Sequence, residues 1–455
     1  MNGFSGKDYP VVIGIDFGTT FSGAAFAFTL AEDGRTPDII DILKWPRSPG
    51  SYPKTATTLL YQTSPAIEAP IDWAESANEK FRNPRIARTH QLVSRFKLFL
   101  DESLASNPSS PRVLPVLPPG KTVVDVIADY LRCLHKYLML QLGRTFARNY
   151  AEDSFRYCLT VPAMWSDQAK TAMRQAAVQA GLIKATDHHD RLLLISEPEA
   201  AAIYCENRSD DYSVKPGDRF MICDCGGGTV DLIVFELVEE NFPGNGENDV
   251  YAGLNRSPPG PRRRLKEVTK GQGLSVGGLF IDQRFREFLE RKFASVNISP
   301  TKNAMDHMVE YFVDKLKPSF DGVQEQFLNL PAFEGAFGKI AEIDIDSGVM
   351  FLNAQDLKEE IFDPIVKAII ELIRAQLEQA EICHTIFMVG GFGTSSYLFE
   401  HVREEFEGKG VKAVAMPPRA EMAIVKGAVY FGLDPHIITA RVLRRTTSTE
   451  TIYER

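Results

Sequence analysis

Two short segments of this 455-residue chain each place an aspartate and several small residues directly after an apolar run. Residues 11–20 read VVIGIDFGTT and residues 220–229 read FMICDCGGGT, so Asp16 and Asp224 each precede a glycine turn that contains threonine. Glycine turns expose closely spaced backbone N–H groups, which are neutral donors for phosphate oxygens. Two such turns that face each other across a cleft are therefore predicted to hold the phosphates of a nucleotide.

Three carboxylates, Asp16, Asp224 and Asp231, accompany these turns. Carboxylates repel phosphates unless a divalent cation lies between them, and hydrated Mg²⁺ prefers oxygen ligands. The acids therefore predict Mg²⁺. For a single turn, an aspartate that caps the turn and a glycine that adopts a left-handed conformation explain the pattern equally well.

A third glycine-rich segment, residues 388–393 with the sequence MVGGFG, follows a predicted strand and precedes a predicted helix. Glycines at this point let the backbone approach a flat adenosine closely. One such segment is weak evidence, because many ordinary turns contain it. Three glycine elements in two α/β halves favour a nucleotide cleft over three unrelated turns.

Strands and helices alternate along the chain, which predicts an α/β fold. Thr122 and Asp125 have the spacing of a capping box before an amphipathic helix, and Ser166 and Gly181 mark the two ends of another helix. Strands are predicted at residues 11–15, 23–28, 157–161, 192–195, 220–223, 232–237 and 386–389. Further helices are predicted at residues 279–293, 305–316, 355–380 and 394–406, and Pro364 is expected to kink the third of them.

Two stretches of the sequence lack helical or strand periodicity. Residues 45–70 are rich in Pro, Ser and Thr and are expected to be loosely packed. Residues 241–264 are rich in Gly, Pro, Asn and Arg and are expected to form a mobile loop between two strands. The arginines at positions 262–264 could bind an anion, but a solvated loop is the favoured interpretation.

Composition excludes several classes of partner. A formal net charge of −9 and a pI near 5.6 disfavour binding to nucleic acid or to an anionic membrane, since both require a basic face. Without the apolar segment of a signal peptide or a membrane span, the chain is expected in the cytoplasm, with the nucleus as the other option. The six cysteines are expected to be free, buried thiols. The pairs Cys223 with Cys225 and His188 with His189 are not expected to bind metal.

Five segments, in order along the chain, resemble motifs of the seventy-kilodalton heat-shock protein family. Residues 13–23 (IGIDFGTTFSG) and 223–232 (CDCGGGTVDL) resemble its two phosphate motifs, and residues 388–393 resemble its adenosine motif. Residues 161–163 (VPA) and 196–202 (SEPEAAA) resemble two further segments of the family. The chain is also similar to the divergent cytosolic branch known as the twelve subfamily, and to its fungal relatives, at residues 96–100, 277–282 and 426–428.

The resemblance implies an α/β, actin-like ATPase fold, in which duplicated ribonuclease-H-like α/β domains form two lobes around a nucleotide cleft. Lobe I is expected at residues 1–215, with its core at 1–44 and 155–215 and a peripheral insertion at 45–154. Lobe II is expected at residues 216–433, with its core at 216–276 and 340–433, an insertion at 277–339 and the mobile loop at 241–264. Residues 434–455 are expected to form a C-terminal tail.

The resemblance also implies roles for individual residues. Lys97 is expected to lie near the γ-phosphate and the attacking water, Glu197 to orient water or metal, and Thr229 to contact the γ-phosphate. Asp231 joins them as a catalytic residue and, with Asp16, is expected to hold Mg²⁺ largely through water. Without the resemblance, Lys97 reads as an ordinary surface lysine. The residues expected to bind ATP or ADP are Asp16, Gly18, Thr19, Thr20, Phe21, Asp224, Gly226, Gly227, Gly228, Gly277, Gly278, Asp314, Lys317, Gly390, Gly391, Phe392 and Glu421.

Some of these positions depart from the family pattern. Phe392 and Thr394 follow the adenosine Gly-Gly, where family members commonly have Ser and Arg. The helix expected to contact the base contributes Asp314 and Lys317, with Pro318 next, in place of Glu, Lys and Arg. These departures are expected to change the contacts with adenine and the affinity for nucleotide.

The expected function is ATP binding with slow, Mg²⁺-dependent hydrolysis that drives lobe closure, as in a heat-shock-type molecular switch. A nucleotide-binding scaffold without hydrolysis is an open alternative, and a sugar or metabolite kinase of the same superfold has less support. Nucleotide is the expected ligand, and the sequence names no protein partner or exchange factor. Only residues 434–455 follow the last predicted helix, so the peptide-binding β-sandwich of a chaperone, which needs about a hundred residues, is not expected.

Overall fold

A computed structural model describes residues 9–29, 37–48, 52–63, 68–101, 114–145, 150–242, 260–333 and 338–442. The strands of these ranges, β1 to β19, are Val11–Asp16, Phe21–Phe28, Ile40–Asp41, Thr55–Ala56, Thr58–Gln62, Asp72–Trp73, His90–Ser94, Phe155–Val161, Leu192–Ser196, Arg219–Cys225, Val230–Phe242, Gly260–Glu267, Gln272–Leu274, Gln326–Asn329, Ile345–Asp346, Val349–Leu352, Thr385–Val389, Ala413–Ala415 and Ile438–Ala440. The helices, α1 to α12, are Ala74–Phe81, Pro84–Ala87, Val123–Thr145, Asp167–Ala180, Glu197–Glu206, Gly278–Ser295, Lys302–Tyr311, Lys317–Ser319, Ala354–Leu357, Asp363–Ala380, Ser396–Phe406 and Ala423–Leu433.

Two mixed sheets repeat the same order and direction of strands. In the first sheet, β1 pairs antiparallel with β2 and parallel with β8, and β8 pairs parallel with β9. In the second sheet, β10 pairs antiparallel with β11 and parallel with β17, and β17 pairs parallel with β18. The duplication places Asp16 and Asp224 at the same end of the two matching central strands, as the similarity of their sequences predicts.

Two helices are exchanged between the sheets and build a shared core. Helix α5 follows β9 of the first sheet but packs on β10 and β11 of the second. Helix α12 follows the second sheet but packs on β1, β2 and β8 of the first, and it also packs directly against α5. The apolar cluster between them joins Val12 and Ala25 of one sheet to Phe220 and Phe387 of the other. Each sheet also has a separate core on its other face.

Loose packing of residues 45–70 is contradicted for the part of that stretch that the structure describes. Residues 53–61 are buried at every position. Strand β4 pairs with β2, and β5 forms a three-stranded sheet with β6 and β7. Distant residues satisfy two of the threonine hydroxyls in this stretch: Thr57 shares a 2.9 Å hydrogen bond with the Ser22 side chain, and Thr58 donates to the Ala74 backbone oxygen at 2.8 Å.

The long mobile loop expected at residues 241–264 is also partly wrong. Residues 243–259 lie outside the described ranges, but β11 extends up to this segment and β12 begins directly after it. The arginines at positions 262–264 are strand residues of β12 rather than parts of a solvated loop. One of them, Arg263, forms an ion pair with Asp210 at 2.7 Å. Glu239 and Glu240 of β11 lie opposite Arg263 and Arg262, and such cross-strand charge pairs stabilise a hairpin.

The predicted helix caps are confirmed. Thr122 and Asp125 form a reciprocal capping box, in which the Asp125 N–H donates to the Thr122 hydroxyl at 3.2 Å and the Thr122 N–H donates to the carboxylate at 2.8 Å. The Ser166 side chain accepts from the N–H of Ala169, and Gly181 ends the same helix with a φ of 83°. These signals act within one turn, so the sequence alone determines them.

Two of the predicted helices are interrupted by π-helical turns. The helix predicted at residues 355–380 is α9, a π-helical turn at Lys358–Phe362 and α10, with Pro364 in the first turn of α10. Proline is accepted there because the first turn needs no N–H donor. The helix predicted at residues 305–316 likewise becomes α7 followed by a π-helical turn at Phe312–Leu316.

A three-stranded sheet of β14, β16 and β15 lies beside the second main sheet. Its strands run from residue 326 to residue 352, so it continues past residue 339, where the insertion of lobe II was expected to end. All six cysteines are free, and all except the half-buried Cys133 are buried, as predicted. Of the helices in the described ranges, none has both the length and the apolar character needed to cross a membrane.

Glu206, at the end of α5, is expected to make stability depend on pH. Burial raises its pKa to about 7, although Arg263 and Arg264 oppose the shift. Because the folded-state pKa lies above the unfolded one, the folded protein binds this proton more tightly, and that contribution to stability is lost as the pH rises through about 7. Glu206→Gln should therefore be more stable than the wild type at pH 8 by about 1–2 kcal/mol, with the difference shrinking toward pH 5. Urea unfolding at pH 5 and pH 8 measures the difference in stability between Glu206→Gln and the wild type. The exposed Glu404→Gln variant is the control. A stability difference of equal size at both pH values would contradict the prediction.

Candidate functional site

The two glycine turns predicted to bind phosphate lie directly against each other. A Cβ atom added to Gly227 would lie 2.3 Å from the Thr20 hydroxyl oxygen, and one added to Gly228 would lie 2.7 Å from that of Thr19. A Cβ atom on Gly18 would lie 2.1 Å from the backbone oxygen of Phe21. Side chains at positions 227 and 228 would force the turns apart, and one at position 18 would distort the first turn, so glycine is what permits the close approach.

Gly277 and Gly278 support the second turn from behind. The N–H groups of residues 277–279 donate to the carbonyl oxygens of residues 226–228 at 2.8–3.1 Å. A Cβ atom on Gly277 would lie 2.5 Å from the Gly227 oxygen. The N–H groups of these two glycines are therefore engaged in holding the turn, which differs from the direct nucleotide contact expected of them.

Lys317 and Asp314, expected to contact the base, occupy different surroundings. The Lys317 ammonium donates to the backbone oxygen of Gly278 and to the Asp282 carboxylate, both at 2.7 Å. Lys317 therefore helps to hold the Gly277 and Gly278 segment, which supports the second turn. Asp314 is exposed, and it interacts with the charges of Glu310 and Arg82. The structure brings Lys317, but not Asp314, to the glycine turns.

The third glycine segment packs against the end of β10. Gly390 has a φ of 83°, and a Cβ atom added to it would lie 2.5 Å from Asp224 Oδ1. The Phe392 N–H donates to the backbone oxygen of Cys225 at 2.9 Å. The Phe392 side chain is buried in the core of the second sheet, so only its backbone is at the surface of the segment. A nucleotide contact by Phe392 would therefore come from its backbone.

Two aromatic residues of the first half lie near this third segment. The exposed Phe21 ring packs edge-on against Tyr52 at a centroid distance of 5.0 Å. A Cβ atom added to Gly391 would lie 3.1 Å from the Tyr52 hydroxyl oxygen. Glu421, which pairs with Arg419 at 3.0 Å, interacts with Tyr52 through its charge. Sequence reasoning missed Tyr52, because it lies in the stretch that was expected to be loosely packed.

Six charged side chains are buried together where the turns meet. Four carboxylates face two ammonium groups, which leaves a formal excess of two negative charges. The members of this carboxylate–lysine cluster are Asp16, Glu197, Asp224, Asp231, Lys54 and Lys97. Buried charges are expensive unless they are paired, so the excess is a site where a cation would be stabilised.

Asp16 is fully engaged by neighbours in this structure. Its Oδ2 accepts from the Lys54 ammonium at 2.6 Å, and its Oδ1 accepts from the Thr160 hydroxyl at 3.0 Å. Burial alone would raise the pKa of Asp16, but the ammonium groups of Lys54 and Lys97 outweigh it and hold the pKa below its usual value. Lys54 was not predicted, since a lysine in an irregular stretch carries no pattern that indicates burial.

Lys97 and Glu197 form a second buried ion pair. The Lys97 ammonium lies 2.5 Å from Glu197 Oε1, and both side chains are at least nine-tenths buried. The ammonium also lies 5.7 Å from the Phe17 ring and 5.4 Å from the Trp165 ring, which is cation–π distance. Lys97 is thus a buried residue of the cleft, and the alternative of a surface lysine is wrong.

Asp224 and Asp231 retain buried oxygens that are free to bind a ligand. Among the described residues, Asp224 Oδ1 and Asp231 Oδ2 have no hydrogen-bond partner, while Asp231 Oδ1 accepts from the Ala163 N–H at 3.1 Å. Burial, with the charge of Glu197, raises the pKa of Asp231 to about 7 and holds that of Asp224 well above its usual value. Buried carboxylate oxygens without a partner among the described residues, in a cluster with excess negative charge, suit a hard cation, so these oxygens fit Mg²⁺.

Two other clusters of metal-ligand atoms lie outside the cleft residues. His188 and His189 share the Asp190 carboxylate at 3.4 Å and 2.9 Å, so an acid adjoins the histidine pair that was not expected to bind metal. The Cys223 and Cys225 sulfurs lie 3.5 Å apart and are fully buried, as expected for thiols on one face of a strand. The charges of Asp224 and Asp231 act on Cys225, so the cysteine pair adjoins the carboxylate–lysine cluster.

Comparison with known proteins finds similarity to heat-shock 70 kDa proteins and to a chaperone protein DnaK. The chain matches no protein-family model. It is 27% identical to heat shock 70 kDa protein 12B of Homo sapiens, over 95% of this chain and 70% of that protein. It is 25% identical to heat shock 70 kDa protein 12A of Homo sapiens, over 96% of this chain and 71% of that protein. It is also 26% identical to chaperone protein DnaK 1 of a Synechococcus strain, over 55% of this chain and 31% of that protein.

The similarities to proteins 12A and 12B extend along nearly the whole chain and agree with the repeated strand order of the two sheets. Together they identify the architecture as the α/β, actin-like ATPase fold that the sequence predicts. Over nearly its whole length the chain thus resembles a divergent member of the 70 kDa heat-shock protein family and is similar to proteins 12A and 12B.

Proposed function

We propose that the chain binds ATP or ADP with Mg²⁺ between its glycine turns and that nucleotide closes its two lobes. The observation that carries this proposal is the contact between the two turns, the second of which lies between Asp224 and Asp231, two buried carboxylates that each have an oxygen without a partner among the described residues. Backbone donors and small hydroxyls from both halves can hold phosphate oxygens at such a point. Similarity to the 70 kDa heat-shock family supports ATP binding in general.

Different residues of the cleft would bind the phosphates and the metal. Thr19, Thr20 and the turn at residues 226–229 provide donors for phosphate, while Asp224 and Asp231 would hold Mg²⁺. When bound, the metal supplies positive charge that offsets the phosphates. The supports at Gly277 and Lys317 fix the second turn in place, so it needs little rearrangement when phosphate binds.

The same arrangement supports slow hydrolysis of ATP. Lys97 is buried beside the turns and can stabilise negative charge that develops as the terminal phosphoryl group leaves. Glu197 holds the Lys97 ammonium in position and can accept a hydrogen bond from the attacking water. Because each half contributes one turn, phosphate contact to both turns favours the closed arrangement of the lobes. The proposed division is lobe I at residues 1–215 and lobe II at residues 216–433, with α5 and α12 between the sheets.

A nucleotide-binding scaffold without hydrolysis is the second candidate. One observation favours it: both ammonium groups of the cluster are already paired with carboxylates, Lys54 with Asp16 and Lys97 with Glu197. A lysine that remains in its ion pair contributes little to a reacting phosphate. The two candidates differ in turnover and not in binding, so the rate of hydrolysis separates them.

Metal dependence of ATP binding tests the shared part of both candidates. In calorimetric titrations, EDTA is expected to weaken ATP binding at least tenfold, because phosphates without metal meet an excess of buried carboxylate. Asp231→Asn keeps the acceptor for the Ala163 N–H and removes one charge, so it should show weak binding even with Mg²⁺ and little further loss with EDTA. Asp346→Asn, at an exposed carboxylate, is the control. Binding that is indifferent to metal in the wild type would refute the proposed site.

A further inference from the structure

Lys54 is held firmly beside Asp16 by the fold around it. The next two residues form β4, which pairs with β2 and so fixes the backbone of Lys54 at the edge of the first sheet. The stem of Lys54 lies over Gly23, where an added Cβ atom would approach its Cγ to 2.9 Å. Gly23 is the strand partner of Asp16. Glycine at this position therefore makes the space through which the Lys54 ammonium reaches the carboxylate.

The Lys54 ammonium limits which other ligands Asp16 can bind. With the Lys54 ammonium at 2.6 Å and the Thr160 hydroxyl at 3.0 Å, both oxygens of Asp16 already have a partner. The contrast is with Asp224 and Asp231, which each keep a buried oxygen without a partner among the described residues. The Lys54 charge also reaches Asp224. Lys54 thus supplies, from within the chain, part of the positive charge that the cluster requires.

We propose that Lys54 is a resident cation of the cleft, which occupies Asp16 and competes with a divalent ion for that carboxylate. A divalent ion can reach Asp16 only after the ammonium leaves, so Lys54 lowers the metal affinity of the nucleotide-free protein. Once released, the ammonium lies within the cleft, where a phosphate oxygen is a suitable new partner. Metal and nucleotide therefore bind with positive coupling. The metal replaces the Lys54 ammonium at Asp16, and a phosphate oxygen replaces Asp16 as the partner of the ammonium.

This inference rests on the proposed function only in taking the carboxylate–lysine cluster as the cation site. Mn²⁺, detected as the free ion by electron paramagnetic resonance, is a probe that needs no nucleotide. Lys54→Met is expected to bind Mn²⁺ at least tenfold more tightly than the wild type, because it frees Asp16 and adds to the negative excess. Methionine is unbranched and of similar length, so it fits the space above Gly23.

The double variant Asp16→Asn with Lys54→Met is expected to lose most of that gain, since the freed carboxylate is removed again. Lys121→Met is the matched control, because Lys121 also pairs with a buried carboxylate of the same half, Asp129, at 2.7 Å. It should leave Mn²⁺ affinity unchanged. If Lys54→Met does not fold, Lys54→Gln is the second variant: it removes the positive charge, but its amide can still donate to Asp16, so a smaller gain in Mn²⁺ affinity is expected.

Unchanged or weaker Mn²⁺ binding in the folded Lys54 variant would overturn the proposal and leave Lys54 with a structural role. Equal gains in the single and the double variant would also overturn it, because Asp16 would then not be the ligand. Calorimetry with ATP remains a separate measurement. Loss of ATP binding in the wild type would refute the proposed function without altering the Mn²⁺ comparison, and intact ATP binding with no Lys54 effect would refute only the role of Lys54.

Discussion

Lys97→Ala is expected to lower the rate of single-turnover ATP hydrolysis by a factor on the order of a hundred or more, while the ATP dissociation constant changes only a few-fold. The ammonium is buried and held 2.5 Å from Glu197, so its position is fixed before nucleotide binds. A preorganised charge of this kind acts mainly on charge that develops during phosphoryl transfer. Binding depends chiefly on the turns and the metal, which the substitution leaves in place.

Folding must be checked in this variant, because it leaves Glu197 buried without its partner, at a cost of about 3 kcal/mol or more. Lys97→Arg keeps the positive charge and should retain more activity than Lys97→Ala. Lys302→Ala, at an exposed helix position, should behave like the wild type. The measurement pairs a single-turnover rate with an equilibrium ATP titration for each protein.

Two outcomes would change the interpretation of the cleft. If Lys97→Ala hydrolyses ATP like the wild type, Lys97 does not act on the reacting phosphate. If the wild type binds ATP tightly but shows no turnover above buffer, the nucleotide-binding scaffold replaces the molecular switch. The paired ammonium groups of Lys54 and Lys97 would then explain the inactivity.

Gly427→Ala is expected to destabilise the protein by about 3 kcal/mol or more. An added Cβ atom would lie 1.7 Å from the backbone oxygen of Ala200 and 2.3 Å from its carbonyl carbon. Both atoms belong to the backbone of α5, so the clash cannot be relieved by a change of rotamer. Helices α5 and α12 would have to separate, and the core that joins the two sheets would open with them.

Urea unfolding measures this effect, with Gly143→Ala as the matched control. Gly143 is an exposed residue of helix α3, and a Cβ atom there would meet nothing within 4 Å. Alanine favours the helix over glycine, so Gly143→Ala should raise the stability by about 0.5–1 kcal/mol. A loss of less than about 1 kcal/mol in Gly427→Ala would show that α5 and α12 can move apart easily. Because these helices link the sheets, ATP binding in the folded variant should also weaken.

Local sequence patterns, spanning only a few residues, were sufficient to predict many of the strands, turns and helix caps of this protein. The runs before Asp16 and Asp224 predicted two matching strands with glycine turns, and the structure has both. The caps at Thr122 and Ser166 were also correct, because a cap is satisfied within one turn of its own helix. Periodicity and turn chemistry were therefore sufficient to predict an α/β chain with two similar halves.

Contacts between residues far apart in the chain could be decided only by the tertiary structure. Asp16 and Lys54 are 38 residues apart, and Lys97 and Glu197 are 100 apart, yet each pair is buried and bonded. Residues 53–61 appeared irregular because nothing in a local pattern reveals that β4 pairs with β2 and β5 pairs with β6 and β7. Likewise, no local signal shows that α5 and α12 exchange sheets. The sequence encodes which residues prefer burial or a turn, but which partner satisfies a buried charge depends on the packing of the whole chain.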